Sequence, residues 1–194
     1  MTSSIHFMRH FSLVGKFSDY NQLTFEELRN LWLDIWEYHI DQEFKYLNDY
    51  DLSLPCYTSE QLRTYETASK IGFTSIHQKK YLDELHFDLS NIITQEEFKE
   101  WWLKSVRNKF WQSFFARNPA IESSESVMQR LEEMIVDFRK NPEQNIIAIT
   151  HWFLIQLIEC FLIKKVDFRN ISYKEFLNLD IAPLQFGEKI KIEF

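Results

Sequence analysis

Short apolar runs alternate with longer amphipathic stretches along the 194-residue chain. Residues 5–8 form an apolar run that ends at Arg9 and His10, which predicts a strand near the start of the chain. Residues 145–150 are almost continuously apolar, a pattern typical of a strand buried on both faces. Further candidate strands cover residues 52–57, 176–181 and 189–194. Strands that alternate with helices predict an α/β fold with three layers, in which a mostly parallel sheet is flanked by helices.

Helical periodicity fills the stretches between these strands. Predicted helices cover residues 24–47, 59–72, 123–139 and 152–163, and another opens at residue 94. Ser59 is expected to cap the second of them, which stops at Gly72. Thr94 and Glu97 have the spacing of a capping box. The helical stretches at about 24–50 and 94–140 are expected to be insertions that form a lid over the carboxyl ends of the strands, within one domain over residues 1–194.

Composition narrows the classes of function. The chain carries 22 Lys and Arg residues against 29 Asp and Glu residues, a net charge of −7, which argues against broad nucleic-acid binding and against a basic membrane-surface helix. With only three glycines it has no Gly-rich phosphate loop. The first residues lack the apolar core of a signal peptide, and Cys56 and Cys160 cannot form a disulfide framework. We therefore expect a cytoplasmic protein with reduced, buried thiols and no nucleic-acid or membrane partner.

Residues suited to phosphate chemistry follow the candidate strands. Arg9 and His10 follow the first strand, Ser59 and Arg63 follow the second, and His151 follows the buried strand. In open α/β sheets, ligands bind outside the carboxyl ends of the strands. We therefore expect these side chains to meet at one edge of the sheet.

Five short motifs occur in a fixed order. They are Arg9-His10-Phe11, the segment 59–68 with Ser59, Arg63, Thr67 and Ala68, the segment 82–88 with Leu82, Glu84 and Phe87, the set Glu122, Ser123 and Arg130, and His151 after an apolar strand. Together they resemble the Arg-His-Gly, Ser-x-x-x-Arg-Ala-x-x-Thr-Ala, Leu-x-Glu-x-x-Phe-Gly, Glu-Ser and His-Gly motifs of the histidine phosphatase superfamily, also called phosphoglycerate-mutase-like. The resemblance covers nearly the whole chain.

This resemblance implies a phosphohistidine mechanism. His10 would attack the phosphorus of a phosphomonoester, and Arg9, Arg63 and His151 would hold the phosphoryl oxygens. Glu84 would protonate the leaving oxygen and then activate water. The resemblance also implies a histidine acid-type phosphatase that acts on a small phosphate ester without metal or cofactor. Because His10 must be neutral and Glu84 protonated, we expect an optimum on the acid side of neutral pH.

The chain departs from the family motifs beside both histidines. Phe11 and Trp152 replace the family glycines, and each side chain could narrow the pocket, stack on an aromatic substrate or turn into the core. Ser12 and Lys16 also replace family residues after the first motif, and we expect both to be phosphate contacts, with Lys16 in place of an Asn.

Two other functions fit the same residues. A phosphoglycerate-type mutase would use them to return the phosphoryl group to its substrate. A catalytically weak or inactive module that binds phosphate or a protein partner would account for the lost glycines. The retention of all five catalytic positions argues against this second alternative.

Overall fold

A five-stranded sheet lies at the centre of the protein, whose computed structural model describes residues 4–11, 24–26, 39–40, 50–140, 145–181 and 184–193. The strands are β1 (Ser4–Arg9), β2 (Cys56–Thr58), β3 (Ile76–Gln78), β4 (Ile146–Thr150) and β5 (Lys189–Glu193). Their order is β3-β2-β4-β1-β5, with β5 antiparallel to β1 and the other neighbours parallel. The predicted mostly parallel sheet is confirmed.

Five α-helices lie entirely within the described residues. They are α1 (Leu62–Ile71), α2 (Gln95–Phe115), α3 (Ser124–Arg139), α4 (Trp152–Ile158) and α5 (Tyr173–Leu177). A π-helical turn, Glu159–Ile163, continues α4. None of the helices in this part of the chain is both long enough and apolar enough to cross a membrane.

Alternate residues of the central strands pack on opposite faces of the sheet. Phe7 and Ala148 join a cluster that includes residues of α3 and α4, whereas Met8 and Ile147 join a second cluster that includes residues of α1. Both faces of β4 are therefore covered, which explains its uninterrupted apolar sequence. This arrangement confirms the predicted α/β fold.

Local sequence signals set several helix ends. Thr94 Oγ1 accepts a hydrogen bond from the main-chain N–H of Glu97, and the Glu97 carboxylate accepts one from Thr94, so the predicted capping box begins α2. Gly72 follows α1 with φ of +106°, a left-handed conformation that costs glycine little because it has no Cβ. Ser123 caps α3 as an acceptor for Ser126.

Two predictions of local structure are wrong. Ser59 does not cap α1, because Gln61 occupies the N-cap position and Ser59 Oγ contacts His151 instead. The stretch 176–181 is not a strand, because Ser172 and Glu175 form a capping box that begins α5.

Other predictions are shortened or untested. The candidate strand over 52–57 is reduced to β2, which begins at Cys56. The predicted helix over 24–47 lies mostly outside the described residues, where Phe25 and Glu26 are helical. The single domain and the lid formed by the stretches at about 24–50 and 94–140 stay predictions. Cys56 and Cys160 are buried free thiols, and burial raises the pKa of each to about 12.

Candidate active site

His10 follows β1 at the carboxyl edge of the parallel strands, and only 6% of the residue is exposed. Its Nδ1 lies 2.7 Å from the carbonyl oxygen of Phe11. Because a carbonyl can only accept, we assign the ring proton to Nδ1, which leaves a lone pair on Nε2. Arg63 Nε donates to this Nε2 at 3.2 Å. A neutral imidazole with an available lone pair is the form in which histidine acts as a nucleophile.

The surroundings of His10 keep it neutral. Burial of the ring lowers the pKa of His10 well below the usual value of 6.5, and the charges of Arg63 and Arg9 lower it further. The hydrogen bond to Phe11 acts in the opposite direction. The imidazole is therefore unprotonated at neutral pH.

Arg63 connects the two histidines of the site. The guanidinium is buried, and its Nε and Nη2 donate to His151 Nδ1 at 3.2 and 2.8 Å. Thr67, one turn further along α1, donates to the Arg63 carbonyl and accepts from the main-chain N–H of Phe11. The start of α1 is thus tied to the strand end that carries His10, whose ring centroid lies 5.2 Å from that of His151.

His151 occupies the N-cap position of α4 and is fully buried. Since its Nδ1 accepts from Arg63, we assign the ring proton to Nε2, which lies 2.8 Å from Ser59 Oγ. The Ser59 hydroxyl contacts Thr64 Oγ1 at 2.9 Å, and Thr64 donates to the Gln61 carbonyl at 2.8 Å. Burial lowers the pKa of His151 well below 6.5, and the Arg63 charge lowers it further.

Glu84 is held by the first turn of α4. Its Oε1 accepts from the main-chain N–H groups of Leu85 and Leu154, each at 3.1 Å, and its Oε2 accepts from Phe153 at 3.2 Å. Burial raises the pKa of Glu84, while the Arg63 charge and these hydrogen bonds oppose the shift. The net rise favours the protonated form that a general acid requires.

The segment before Glu84 is fixed from the side of α3. Arg130 donates to the Asp83 carbonyl at 2.9 Å and forms an ion pair with Glu122 at 2.7 Å, in which both side chains are largely buried. Asp83 Oδ1 accepts from the main-chain N–H of Glu60 at 2.8 Å, and burial raises the pKa of Asp83 to about 6. Glu122 and Arg130 belong to one of the motifs in the sequence, whereas Asp83 was not among the predicted site residues.

Arg9 lies on the other side of His10. Its Nη1 donates to the carbonyl oxygen of Leu184 at 3.1 Å, and its Cζ lies 3.7 Å from the centroid of the Phe186 ring. The ring of Phe186 also contacts His10, with centroids 5.6 Å apart. Leu184 and Phe186 were not among the predicted site residues, because no signal in the sequence places this turn beside β1.

The two aromatic replacements of family glycines differ in position. Phe11 is fully buried in the apolar cluster that contains Met8, so its side chain has turned into the core. Trp152 is half-buried, and the Arg107 guanidinium lies 5.4 Å from the centroid of its ring system. The expected phosphate contacts Ser12 and Lys16 lie outside the described residues.

The described structure therefore brings the five predicted catalytic residues together at the carboxyl edge of the parallel strands. His10, Arg63 and His151 are in direct contact. Glu84 accepts hydrogen bonds from the start of α4, the helix that follows His151. Arg9 contacts the Phe186 ring, which in turn contacts His10. Within the described residues, no three His, Cys, Asp or Glu side chains lie close enough together to hold a metal ion. The catalytic roles stay predictions.

The chain is similar to proteins of one known family. The model of the histidine phosphatase superfamily (branch 1) matches residues 17–189, a range that begins after Arg9 and His10. Human 6-phosphofructo-2-kinase/fructose-2,6-bisphosphatase 1 is 28% identical over 143 residues, which cover 72% of this chain and 29% of the human protein. The match therefore spans less than a third of that relative's length.

Solved structures share the fold. A phosphoglycerate mutase from Bacillus anthracis str. Sterne aligns with a TM-score of 0.53 and 16% identity, over 100% of this chain and 88% of that one. A mycobacterial glucosyl-3-phosphoglycerate phosphatase aligns with a TM-score of 0.58 and 14% identity, over 98% and 90% of the two chains. These structures establish a common fold, and the family model covers most of the sequence. The chain belongs to branch 1 of the histidine phosphatase superfamily.

Proposed function

We propose that the protein is a phosphatase that hydrolyses a small phosphorylated metabolite through a phosphohistidine intermediate on His10. The observation that supports this proposal most directly is the contact between Arg63 Nε and the unprotonated Nε2 of His10. It pairs a neutral nucleophile with a guanidinium that can bind the phosphoryl oxygens. The buried Glu84 supplies a candidate proton donor.

In the first step, Nε2 of His10 attacks phosphorus, and the bond from phosphorus to the leaving oxygen breaks. Arg63 exchanges its hydrogen bonds to the imidazoles for bonds to the phosphoryl oxygens, and Arg9 adds a second guanidinium. These charges stabilise the transition state without a metal ion. Glu84 gives its proton to the leaving oxygen, so an alcohol departs and the carboxylate remains.

In the second step, the Glu84 carboxylate removes a proton from water as the water oxygen attacks phosphorus. The bond between phosphorus and His10 Nε2 breaks, and inorganic phosphate leaves. His10 returns to its neutral form with its proton on Nδ1, where the Phe11 carbonyl accepts it. Glu84 is again protonated, so the cycle is complete.

The similar proteins suggest where to look for the substrate. A fructose-2,6-bisphosphatase and a glucosyl-3-phosphoglycerate phosphatase are both named for phosphorylated sugar compounds. We therefore propose that sugar phosphates are the first class to screen.

The test compares wild type with His10→Ala in the hydrolysis of p-nitrophenyl phosphate, between about pH 5 and pH 8 in the presence of a chelator. We expect an optimum on the acid side of neutral pH and a loss of kcat/KM in His10→Ala of about 10,000-fold or more. His77→Ala is the matched control, because His77 is an exposed histidine on β3. A radiolabelled ester and a rapid quench should trap an acid-labile phosphoenzyme in wild type and His77→Ala but not in His10→Ala.

Other outcomes would redirect the assignment. Full turnover in His10→Ala would show that the nucleophile is a different residue. Phosphate binding without turnover of any ester would favour the binding module. Transfer of the phosphoryl group to a second hydroxyl, without release of phosphate, would favour a mutase.

A further inference from the structure

The turn formed by residues 184–188 is fastened to the strand end that carries Arg9. The Arg9 N–H donates to the Glu188 carbonyl at 3.2 Å, and the Gly187 N–H donates to the Arg9 carbonyl at 3.1 Å. The Arg9 side chain donates to the Leu184 carbonyl. The turn thus contacts both the main chain and the side chain of Arg9.

Phe186 is the aromatic residue of this turn, and its ring is half-buried. The ring face lies 3.7 Å from Arg9 Cζ, well inside the range of a cation–π contact. The same ring lies beside the imidazole of His10, with an interplanar angle of 54°. One side chain therefore contacts both members of the Arg-His pair.

The contact with Phe186 suits a guanidinium that must bind a phosphoryl group. Arg9 Cζ lies over the ring, and a cation–π contact of this kind depends on the charge of the guanidinium and not on a hydrogen bond. The ring can therefore restrict the Arg9 side chain without occupying its donors. Arginine has a long and flexible side chain, so a restraint of this kind reduces the ordering cost of binding an anion.

We propose that Phe186 is a positioning residue that orients the Arg9 guanidinium beside His10 for the phosphoryl group. This inference rests on the proposed function of the site. It adds to the site a side chain from the turn before β5, more than 170 positions away in the chain.

The main chain of the turn is held by contacts that do not involve the Phe186 ring. Tyr50 donates from its hydroxyl to the Gly187 carbonyl at 3.1 Å. The Glu188 N–H donates to the Gln185 carbonyl, and β5 then pairs with β1. Replacement of the ring alone should therefore leave the turn in place.

The experiment measures the affinity of the purified protein for inorganic phosphate and orthovanadate by calorimetry. We expect Phe186→Leu to bind both anions roughly 3- to 30-fold more weakly, as the loss of a partly desolvated cation–π contact predicts. Phe186→Tyr retains the ring face and should bind as wild type does. Phe161→Leu is the control, because Phe161 is half-buried and packs against Phe168.

A double-mutant cycle separates positioning from general structure. In an Arg9→Met background, Phe186→Leu should weaken anion binding no further, because the ring acts through Arg9. An equal loss in both backgrounds would overturn the proposal, and so would wild-type affinity in Phe186→Leu.

A second readout does not depend on the activity of the site. The Arg9 Nε–H resonance should carry an upfield ring-current shift in wild type that disappears in Phe186→Leu and persists in Phe186→Tyr. An Arg9 resonance that is identical in all three proteins would overturn the proposal. Absence of ester hydrolysis in wild type would contradict the proposed function only, since anion affinity and the resonance still test Phe186.

Discussion

The two histidines of the site stand at the ends of adjacent parallel strands, yet their rings are held in different ways. His10 directs its Nδ1 proton to a main-chain carbonyl, which can only accept. His151 directs its Nε2 proton to the Ser59 hydroxyl, which can either donate or accept. Arg63, which can only donate, leaves the nitrogen that faces it unprotonated in both rings, and that nitrogen is Nε2 in His10 but Nδ1 in His151. The lone pair on Nε2 of His10 suits the nucleophile that we propose on β1.

The residues that follow the two histidines also differ. Phe11 lies wholly in the core, and its N–H is fixed by Thr67. Trp152 lies half-exposed in the first turn of α4, next to the Arg107 guanidinium. Both residues are aromatic replacements of family glycines, but Phe11 packs in the core whereas Trp152 lies partly at the surface.

The largest expected effect separates the roles of the two histidines. His10→Ala should lower kcat/KM by about 10,000-fold or more, because it removes the nucleophile on which we propose that the covalent intermediate forms. His151→Ala should lower it by roughly 100- to 1,000-fold, the usual effect of losing one group that stabilises the transition state. Steady-state hydrolysis of p-nitrophenyl phosphate measures both. Equal losses of kcat/KM in folded His10→Ala and His151→Ala would contradict the different roles of the two histidines.

The second prediction concerns stability at the same strand ends. Phe11→Ala should lower the free energy of unfolding by about 3–5 kcal/mol, because it leaves a cavity in a fully buried cluster. Trp152→Ala should cost less than about 2 kcal/mol, since part of that side chain already contacts solvent. Denaturant unfolding monitored by circular dichroism measures the two values. A larger loss of unfolding free energy in Trp152→Ala than in Phe11→Ala would contradict this prediction.

The third prediction tests the partner of His151. Ser59→Ala leaves the buried Nε2–H of His151 without its acceptor, which should cost about 1–3 kcal/mol of stability and change the nitrogen-15 chemical shift of Nε2, while the Arg63 donors keep Nδ1 unprotonated. Nitrogen-15 chemical shifts of the ring report the hydrogen bond at Nε2, and chemical denaturation reports the stability. Ser69→Ala, at an exposed position on α1, is the control and should change neither. Unchanged ring shifts in Ser59→Ala would show that the hydroxyl does not hold His151.

The smallest predicted effect is on the pH dependence of stability. Burial lowers the pKa of both His10 and His151 below the value of about 6.5 in the unfolded chain. As the pH falls through that value, the unfolded chain binds protons that the native protein does not, so stability decreases. Each histidine should contribute up to about 2 kcal/mol of this decrease between pH 8 and pH 5.

Variants isolate the contribution of each histidine. His10→Gln and His151→Gln should each lose less stability than wild type on acidification. The pKa values of Asp83 and Glu84 are raised in the native protein, so these two groups increase its stability as the pH falls. Both groups are present in wild type and in the variants. A wild-type pH dependence in both glutamine variants would contradict the assigned neutral state of the imidazoles.

Local signals explain why much of the fold was predictable. The apolar run of β4, the capping box at Thr94 and Glu97 and the glycine after α1 each involve neighbours within a few residues. Ser59 was predicted incorrectly because its hydroxyl can satisfy either a helix N–H or a distant partner, and sequence spacing does not distinguish them. The capping box at Ser172 was overlooked although the same rule applies to it.

The sequence by itself determined the α/β alternation, the order of the motifs and the identity of the five candidate catalytic residues. Only the tertiary structure decided which atoms meet. Arg63 and His10 are 53 positions apart, and Arg9 and Leu184 are 175 apart, so their contacts depend on sheet order and loop closure. Tautomers and pKa shifts follow from those contacts and from burial, because both depend on the environment of each ring in space.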